Sequence, residues 1–359
     1  MTVRTPRVLH VSCAGGGGTD AILQEYPTAV PEVEHLFLLR PGVPVPHRLD
    51  GEPCWAAEVP PTPRAAASAL RIALRTQRPD VVHAHSSWAG ALARAFAGRT
   101  PVVYTPHCYA MERTGQGAFA RLAVTAVERI LARRTAAVLA VGPREAAIAR
   151  GLQAGAVVDV VYQCFHDRPA DRSVQPSSAT PSEVLAVVAC GRLAPQKDPA
   201  AVAALQRDLG DRIQITWIGG GAGADAADLA AAGTEVTGWL DAEGARARLA
   251  AADVLVHAAR WEGFPLVVFE AIAAGVPVVI LDAPYLLGTG LPGVHPDLAA
   301  VEQTLGSLAA PEARTALWMR QRDWYDAIRA TRPEATLASR YRVVARVDGR
   351  VDQGSMARW

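Results

Sequence analysis

Two doubly wound α/β domains, each built on a parallel sheet, are predicted by three features of this 359-residue chain. Short apolar runs alternate with helical stretches along most of its length. A polar, proline-rich segment divides those runs into two sets, and glycine loops follow several of them. Buried runs of about four to eight residues alternating with helices are the pattern of a parallel sheet covered on both faces. At roughly 100–200 residues per domain the length accommodates about two.

The first set runs RVLHVSC, EHLFLLR, DVVHAHS, PVVYTP, AAVLAVG and VVDVVYQ. The stretch DRPADRSVQPSSATPSE, residues 167–183, has almost no apolar content and reads as a linker. The second set is VLAVVACG, RIQITWIGGG, ADVLVHAA and VPVVILDA. After about residue 312 the pattern turns helical, with Pro333 as its break, and DGRVDQGSMARW reads as a tail. The expected division is a first domain over 1–170, a linker at 171–183, a second domain over 184–320 and a C-terminal segment over 321–359. Two such domains are expected to face each other across a cleft, with ligands at the carboxyl ends of the strands.

Composition narrows the function classes. The net charge is +1 with half the residues hydrophobic, a globular profile that lacks the basic footprint of nucleic-acid binding. The first 166 residues carry 17 Arg against 12 acidic side chains, a mild surplus that suits an anionic ligand or lipid surface. Five scattered cysteines without a C-x-x-C pair argue against a disulfide framework or a zinc site, so a cytoplasmic location is expected. No signal-peptide pattern or apolar stretch of about 18 residues is present, so neither secretion nor membrane spanning is expected.

Several stretches can carry chemistry. In VSCAGGGGTDAILQE a strand runs into glycines including Gly16 and Gly17 and then into a helix, where backbone N–H groups can approach an anion. No G-K-[ST] follows, and the spacing is not a clean dinucleotide fingerprint. In VACGRLAPQKDP, Arg192 and Lys197 leave a strand end together. Lys197 is the only lysine in a chain with 35 arginines. A lysine is a compact charge on a flexible stem whereas arginine is a planar fork, so composition alone leaves two readings, a site that does not accept the fork or a chance placement. In ARWEGFPLVVFEAIAAG, Glu262 and Glu270 stand eight apart around a helix start, with Gly263, Phe264, Pro265 and Leu266 between them. His83 and His85 sit at i, i+2 on a strand end. Without a third ligand type a structural or cleft-lining role outweighs metal binding, with His85, Ser86 or Ser87 as acceptor contacts. RLAVTAVERILARR is an amphipathic helix, read first as a core-facing surface helix with lipid contact as the lesser alternative.

GRLAPQK together with EGFPLVVFEAIAAGVPVV resembles the signature of retaining GT-B glycosyltransferases of family GT4, whose hallmark is E-x7-E. The resemblance implies two Rossmann-like domains, with a nucleotide-sugar donor held mainly by the second and a C-terminal helix crossing back to the first. It implies that Arg192 and Lys197 bind the donor diphosphate and that Glu270 contacts the ribose. Glu262 and the backbone of Gly263, Phe264, Pro265 and Leu266 would hold the sugar and β-phosphate. Gly219 and Gly220 of WIGGG, with Trp239 and Leu240 of VTGWL, match positions near the base. YTPHCYAMER resembles the family's T-x-H segment, making His107 the sugar-facing residue. Cys108 stands where glycine is common and, with Tyr109, is assigned to the acceptor side.

The implied reaction is transfer from a nucleoside diphosphate sugar, UDP before GDP, to a hydroxyl of a saccharide, lipid-linked glycan or small molecule, with retention and without metal or other cofactor. Preorganised cations would stabilise the departing charge. A hydrolysing nucleotide-sugar epimerase and a catalytically silent donor-binding subunit are the competing readings. The protein is expected in the cytoplasm, with peripheral contact at the inner membrane face left open.

Overall fold

The computed structural model describes residues 5–13, 17–165, 184–221 and 223–347. Gly16, the linker expected at 171–183 and the tail after 347 lie outside the described residues. Contacts divide the chain into two compact units, Met1–Phe165 with Arg332–Trp359, and His166–Thr331.

The first unit contains β1 (Arg7–Ser12), α1 (Gly18–Ala29), β2 (Glu34–Leu39), β3 (Trp55–Glu58), α2 (Pro63–Gln77), β4 (Val81–His85), α3 (Ser86–Phe96), β5 (Val102–Thr105), α4 (Ala118–Ala132), β6 (Ala137–Ala140), α5 (Pro143–Leu152) and β7 (Val158–Val160). The strands form a seven-stranded sheet in the order β3-β2-β1-β4-β5-β6-β7, with every pair parallel. Helices on both faces remove the need for a polar side, so β4 is buried at all five positions. The order reverses between β1 and β4, where Ser12 and His85 pair at the carboxyl ends. Such a switch point leaves a crevice for ligand beyond the strand ends.

The second unit contains β8 (Leu185–Cys190), α6 (Pro199–Leu209), β9 (Ile213–Ile218), α7 (Ala224–Ala231), β10 (Glu235–Val236), α8 (Ala242–Ala250), β11 (Val254–His257), α9 (Leu266–Ala273), β12 (Val278–Leu281), β13 (Val294–His295), α10 (Leu298–Ser307) and α11 (Pro311–Ala330). Its six-stranded parallel sheet runs β10-β9-β8-β11-β12-β13, with the switch between β8 and β11. Trp217, Ile215, Leu205 and Val254 are at most 1% exposed and form the core. Fully burying such side chains stabilises by about 1.5–3 kcal/mol each. The α11 helix is fastened by polar groups as well. Buried Gln321 accepts from the Val278 N–H at 2.9 Å and donates to the Val278 and Pro292 carbonyls, so its amide is satisfied on both sides.

The remaining helix, α12 (Pro333–Val347), belongs to the first unit. Leu337, Ala338, Tyr341 and Val344 are buried on one helical face, and Arg340 makes a bidentate pair with Asp159 at 2.6 and 3.0 Å.

Strand register in the first unit gathers imidazoles. His10 pairs with His83, Val8 with His35, and Ser12 with His85. Side chains alternate across a sheet with period two, so His10, His35, His83 and His85 share one face. Tyr26 of α1 and Tyr341 of α12 pack against it.

Candidate functional site

In the second unit the loops after β8, β9 and β11 interlock at the strand ends. Lys197 and Glu262, 65 residues apart, form an ion pair at 2.6 Å with both side chains mostly buried. Glycine makes room for this. A Cβ on Gly191 would lie 2.7 Å from Lys197 Cε, so the lysine stem passes directly over a bare backbone. A Cβ on Gly219 would lie 2.2 Å from the Gly191 carbonyl oxygen, and Gly219 has φ +130°, so glycine is required there twice over. The two loops are joined by Gly191 N–H donating to Ile218 O at 2.9 Å and Leu193 N–H donating to Gly220 O at 3.0 Å.

A second clamp was not anticipated from the sequence. Arg260 reaches Asp198 through two bonds of 2.7 and 3.0 Å, and its own N–H donates to the Gln196 carbonyl at 2.9 Å. Gln196 in turn donates to the Trp261 carbonyl at 3.0 Å. The segment carrying Lys197 is thereby tied to the segment carrying Glu262 on both sides of the ion pair. Asp198 follows the lysine directly and Arg260 stands two residues before the glutamate, so adjacency to the motifs was the available signal.

Arg192 is exposed and makes no ion pair with a described residue. Glu270 sits partly buried on α9, and Pro265 occupies the cap position before that helix. Gly263, Phe264 and Pro265 are buried and Leu266 is partly so. Burial pushes the Cys190 thiol up to about 11, with the Lys197 charge opposing and Glu270 adding to the shift. Two buried polar atoms here, His257 Nε2 and the Tyr285 hydroxyl, have no hydrogen-bond partner among the described residues, and burial beside the Lys197 charge holds His257 well below its ordinary range. Trp239 is 66% exposed and lies against Gly220, where an added Cβ would meet the indole at 3.1 Å. Leu240 is also exposed. These are open surfaces of the kind a planar base stacks on.

In the first unit imidazoles run along one face of the sheet from His35 of β2 through His10 to His85 at the carboxyl end of β4, while Arg40 pairs with Asp20 and Arg144 with Glu112 in the loops beyond the strands. His85 Nδ1 lies 3.1 Å from His107 Nε2, His10 Nδ1 lies 3.0 Å from His85 Nε2, and His10 Nε2 lies 2.9 Å from His35 Nδ1. His83 bonds to Tyr341 at 2.7 Å and Thr105 at 2.8 Å. Burial pulls His35 and His107 down to about 4 and holds His10, His83 and His85 well below their ordinary range. One nitrogen from each of His10, His83 and His85 falls within 4.8 Å of the others. All six of their ring nitrogens are already hydrogen-bonded, so the group is assembled as a network.

Beyond the network, His107 and Cys108 have φ of +50° and +88°, values that disfavour side chains. The buried Glu145 carboxylate holds this bend by accepting from the Cys108 N–H at 2.5 Å, and burial raises that carboxyl to about 7. His107, Cys108 and Ser86 are partly exposed, whereas His85 is fully buried and Tyr109 is 1% exposed. Acceptor contact through the His85 or Tyr109 ring therefore needs correction. Both His85 nitrogens are used by other histidines, and Tyr109 packs against Tyr104 in the core. Gly17 caps α1 with φ +80° and is exposed.

The α4 helix also departs from expectation. Its inner face presents Glu128, which pairs with buried Arg94 of α3 at 2.9 Å. Phe119, Leu122, Val127 and Ile130 are instead 51–85% exposed. The charge faces the core because Arg94, stacked over Tyr104 at 4.1 Å, needs a carboxylate there.

Comparison with known proteins places both units. Residues 7–164 match the Glycosyl transferase 4-like domain and residues 184–309 the Glycosyl transferases group 1 domain. A Klebsiella pneumoniae "uncharacterized 41.2 kDa protein in cps region" is 26% identical over 239 residues, covering 62% of this chain and 66%, just under two thirds, of that protein. A sucrose-phosphate synthase from Thermosynechococcus elongatus superposes with TM-score 0.76 at 16% identity, covering 95% of this chain and all of that one. Anabaena HepE in complex with UDP-glucose gives 0.67 at 14% identity (95% and 99% covered). The lipopolysaccharide outer core galactosyltransferase WaaB gives 0.62 at 16% (93% and 99%). The fold shared with these structures is GT-B, and no described helix is long and apolar enough to cross a membrane.

Proposed function

Because the chain belongs to the group 1 glycosyltransferases of family GT4, we propose that it transfers a hexosyl group from a UDP-sugar to an acceptor hydroxyl with retention. The observation that carries this reading is the Lys197–Glu262 pair clamped between the glycine loops at the strand ends of the second unit. There the amino group already has a carboxylate partner, and a diphosphate adds two further oxygens of the same charge. Lys197 and exposed Arg192 hold the diphosphate, and Glu270 the ribose. Glu262, with the backbone of Gly263 to Leu266, holds the sugar and β-phosphate. Gly219, Gly220, Trp239 and Leu240 receive the base. Fixed cations and the α9 N-terminus stabilise the departing diphosphate without a divalent metal.

The first domain, taken as 1–170, binds the acceptor and the second, 184–320, the donor. His107 faces the sugar, Gly17 contacts the donor, and Ser86 and Cys108 border the acceptor side. A saccharide or lipid-linked acceptor is supported by the cps-region relative and by the likeness to WaaB. Outward-facing Phe119, Leu122 and Ile130, with Arg121, Arg129, Arg133 and Arg134 on or just beyond α4, suit peripheral contact with an anionic bilayer. Phe119→Asp with Leu122→Asp should abolish cosedimentation with phosphatidylglycerol vesicles; unchanged cosedimentation removes α4 from this role.

Incubation with UDP-glucose and a panel of saccharide acceptors tests the reaction itself. Acceptor-dependent UDP release with an α-linked product by NMR is expected. Equal release without any acceptor would identify a hydrolase instead.

A further inference from the structure

The hydrogen bonds among four histidines fix a direction. At the inner end, His35 Nε2 lies 2.9 Å from the Val30 carbonyl oxygen. A carbonyl only accepts, so this nitrogen carries a proton. A neutral imidazole has one donor and one acceptor, which leaves His35 Nδ1 bare and requires His10 Nε2 to donate to it. The same reasoning passes outward: His10 Nδ1 is bare and receives the proton of His85 Nε2, and His85 Nδ1 is bare and receives that of His107 Nε2.

Neutrality follows from the surroundings. His10 and His85 are 0% exposed, and His35 is 5% exposed. The charged neighbour with a resolved influence on the network is Glu32, which acts on His35 more weakly than burial does. His83 is not part of the directed series, because both its partners are hydroxyls that can donate or accept.

We propose that His35, His10 and His85 are positioning residues that lock His107 in one tautomer, with Nε2 protonated toward the interior and Nδ1 bare as a hydrogen-bond acceptor at the outer end. The bare nitrogen selects a ligand group that donates, such as a sugar hydroxyl, and disfavours one that only accepts, such as a phosphate oxygen. A single buried imidazolium at His85 would donate in both directions and reverse the orientation of His107, so neutrality and direction stand or fall together. The ligand class rests on the reading of His107 as sugar-facing; the tautomer does not.

Long-range proton–nitrogen NMR of the full chain labelled with ¹⁵N-histidine, at neutral pH and without ligand, reads the tautomer directly. Signals of His107 are assigned by their loss in His107→Gln. The expected result is a pyrrole-like Nε2 and a pyridine-like Nδ1; a protonated Nδ1 or an imidazolium overturns the proposal. In folded His35→Leu the two nitrogens should move toward averaged positions, and His35→Asn, whose carbonyl can replace the lost acceptor, should restore them. Unchanged His107 signals in folded His35→Leu would also overturn it. If UDP-glucose transfer survives His107→Ala while the tautomer is as stated, the reading of function fails and the relay stands.

Discussion

At their switch points the two sheets solve the same topological problem with different chemistry. In the second unit the strand-end loops are held by charge, with Lys197 on Glu262 and Arg260 on Asp198. In the first unit Arg40 pairs with Asp20 and Arg144 with Glu112 in the loops after β2, β5 and β6, but beside the switch point, at the carboxyl end of β4, His85 joins a row of imidazoles that runs inward along the sheet, bonded to one another and to hydroxyls. A diphosphate needs fixed cations that are present before it arrives, because preorganised charge requires no rearrangement as the leaving group departs. A hydroxyl-bearing ligand needs donors and acceptors in a fixed order, which a neutral network supplies without burying a charge.

The largest expected consequence of this contrast is acid sensitivity lodged mainly in the first unit, where His10, His35, His83, His85 and His107 are lowered by burial against His257 and His295 in the second. His35 and His107 fall from 6.5 to about 4 because burial disfavours the charged ring. Between those values the unfolded chain binds more protons than the folded one, so stability drops as pH falls from about 6.5 toward 4. Each group contributes about 3 kcal/mol over the full window. Glu145, raised from 4.5 to about 7, acts in the opposite sense over part of it, as one group against several histidines. Denaturant melts across this range should show stability falling with acid by more than one proton per molecule. A flat or rising profile would break the contrast.

A smaller effect is expected at the bend between the two bonded segments of the first unit. Cys108 adopts φ +88° with a side chain present, so Cys108→Gly should stabilise the fold by about 1 kcal/mol through relief of that strain. A loss of stability in the same melts would mean that packing of the thiol outweighs it.

The charged end was legible in the sequence because its parts are local. GRLAPQK and EGFPLVVFE each keep their chemistry within a few residues of a strand end, and the sole lysine drew attention to itself. The neutral end was not legible. His10, His35 and His85 come from three strands and become neighbours only through the parallel register, which no window of sequence displays. Reading His83 and His85 as a pair captured the i, i+2 spacing and missed that their partners lie on other strands and, for His83, on α12. The α4 helix was misjudged for a related reason: its amphipathic pattern was visible, but which face met the core depended on Arg94, 34 residues before Glu128.

Calorimetric titration of UDP-glucose into the parent protein and into Lys197→Ala, without added metal, tests most directly the claim that the second unit grips the donor through its single lysine. Binding to the parent and at least about tenfold weaker binding to the variant, on the order expected for one lost charge-assisted contact, is the predicted result. Equal binding to both would contradict it and leave the Lys197–Glu262 pair as a loop fastening only.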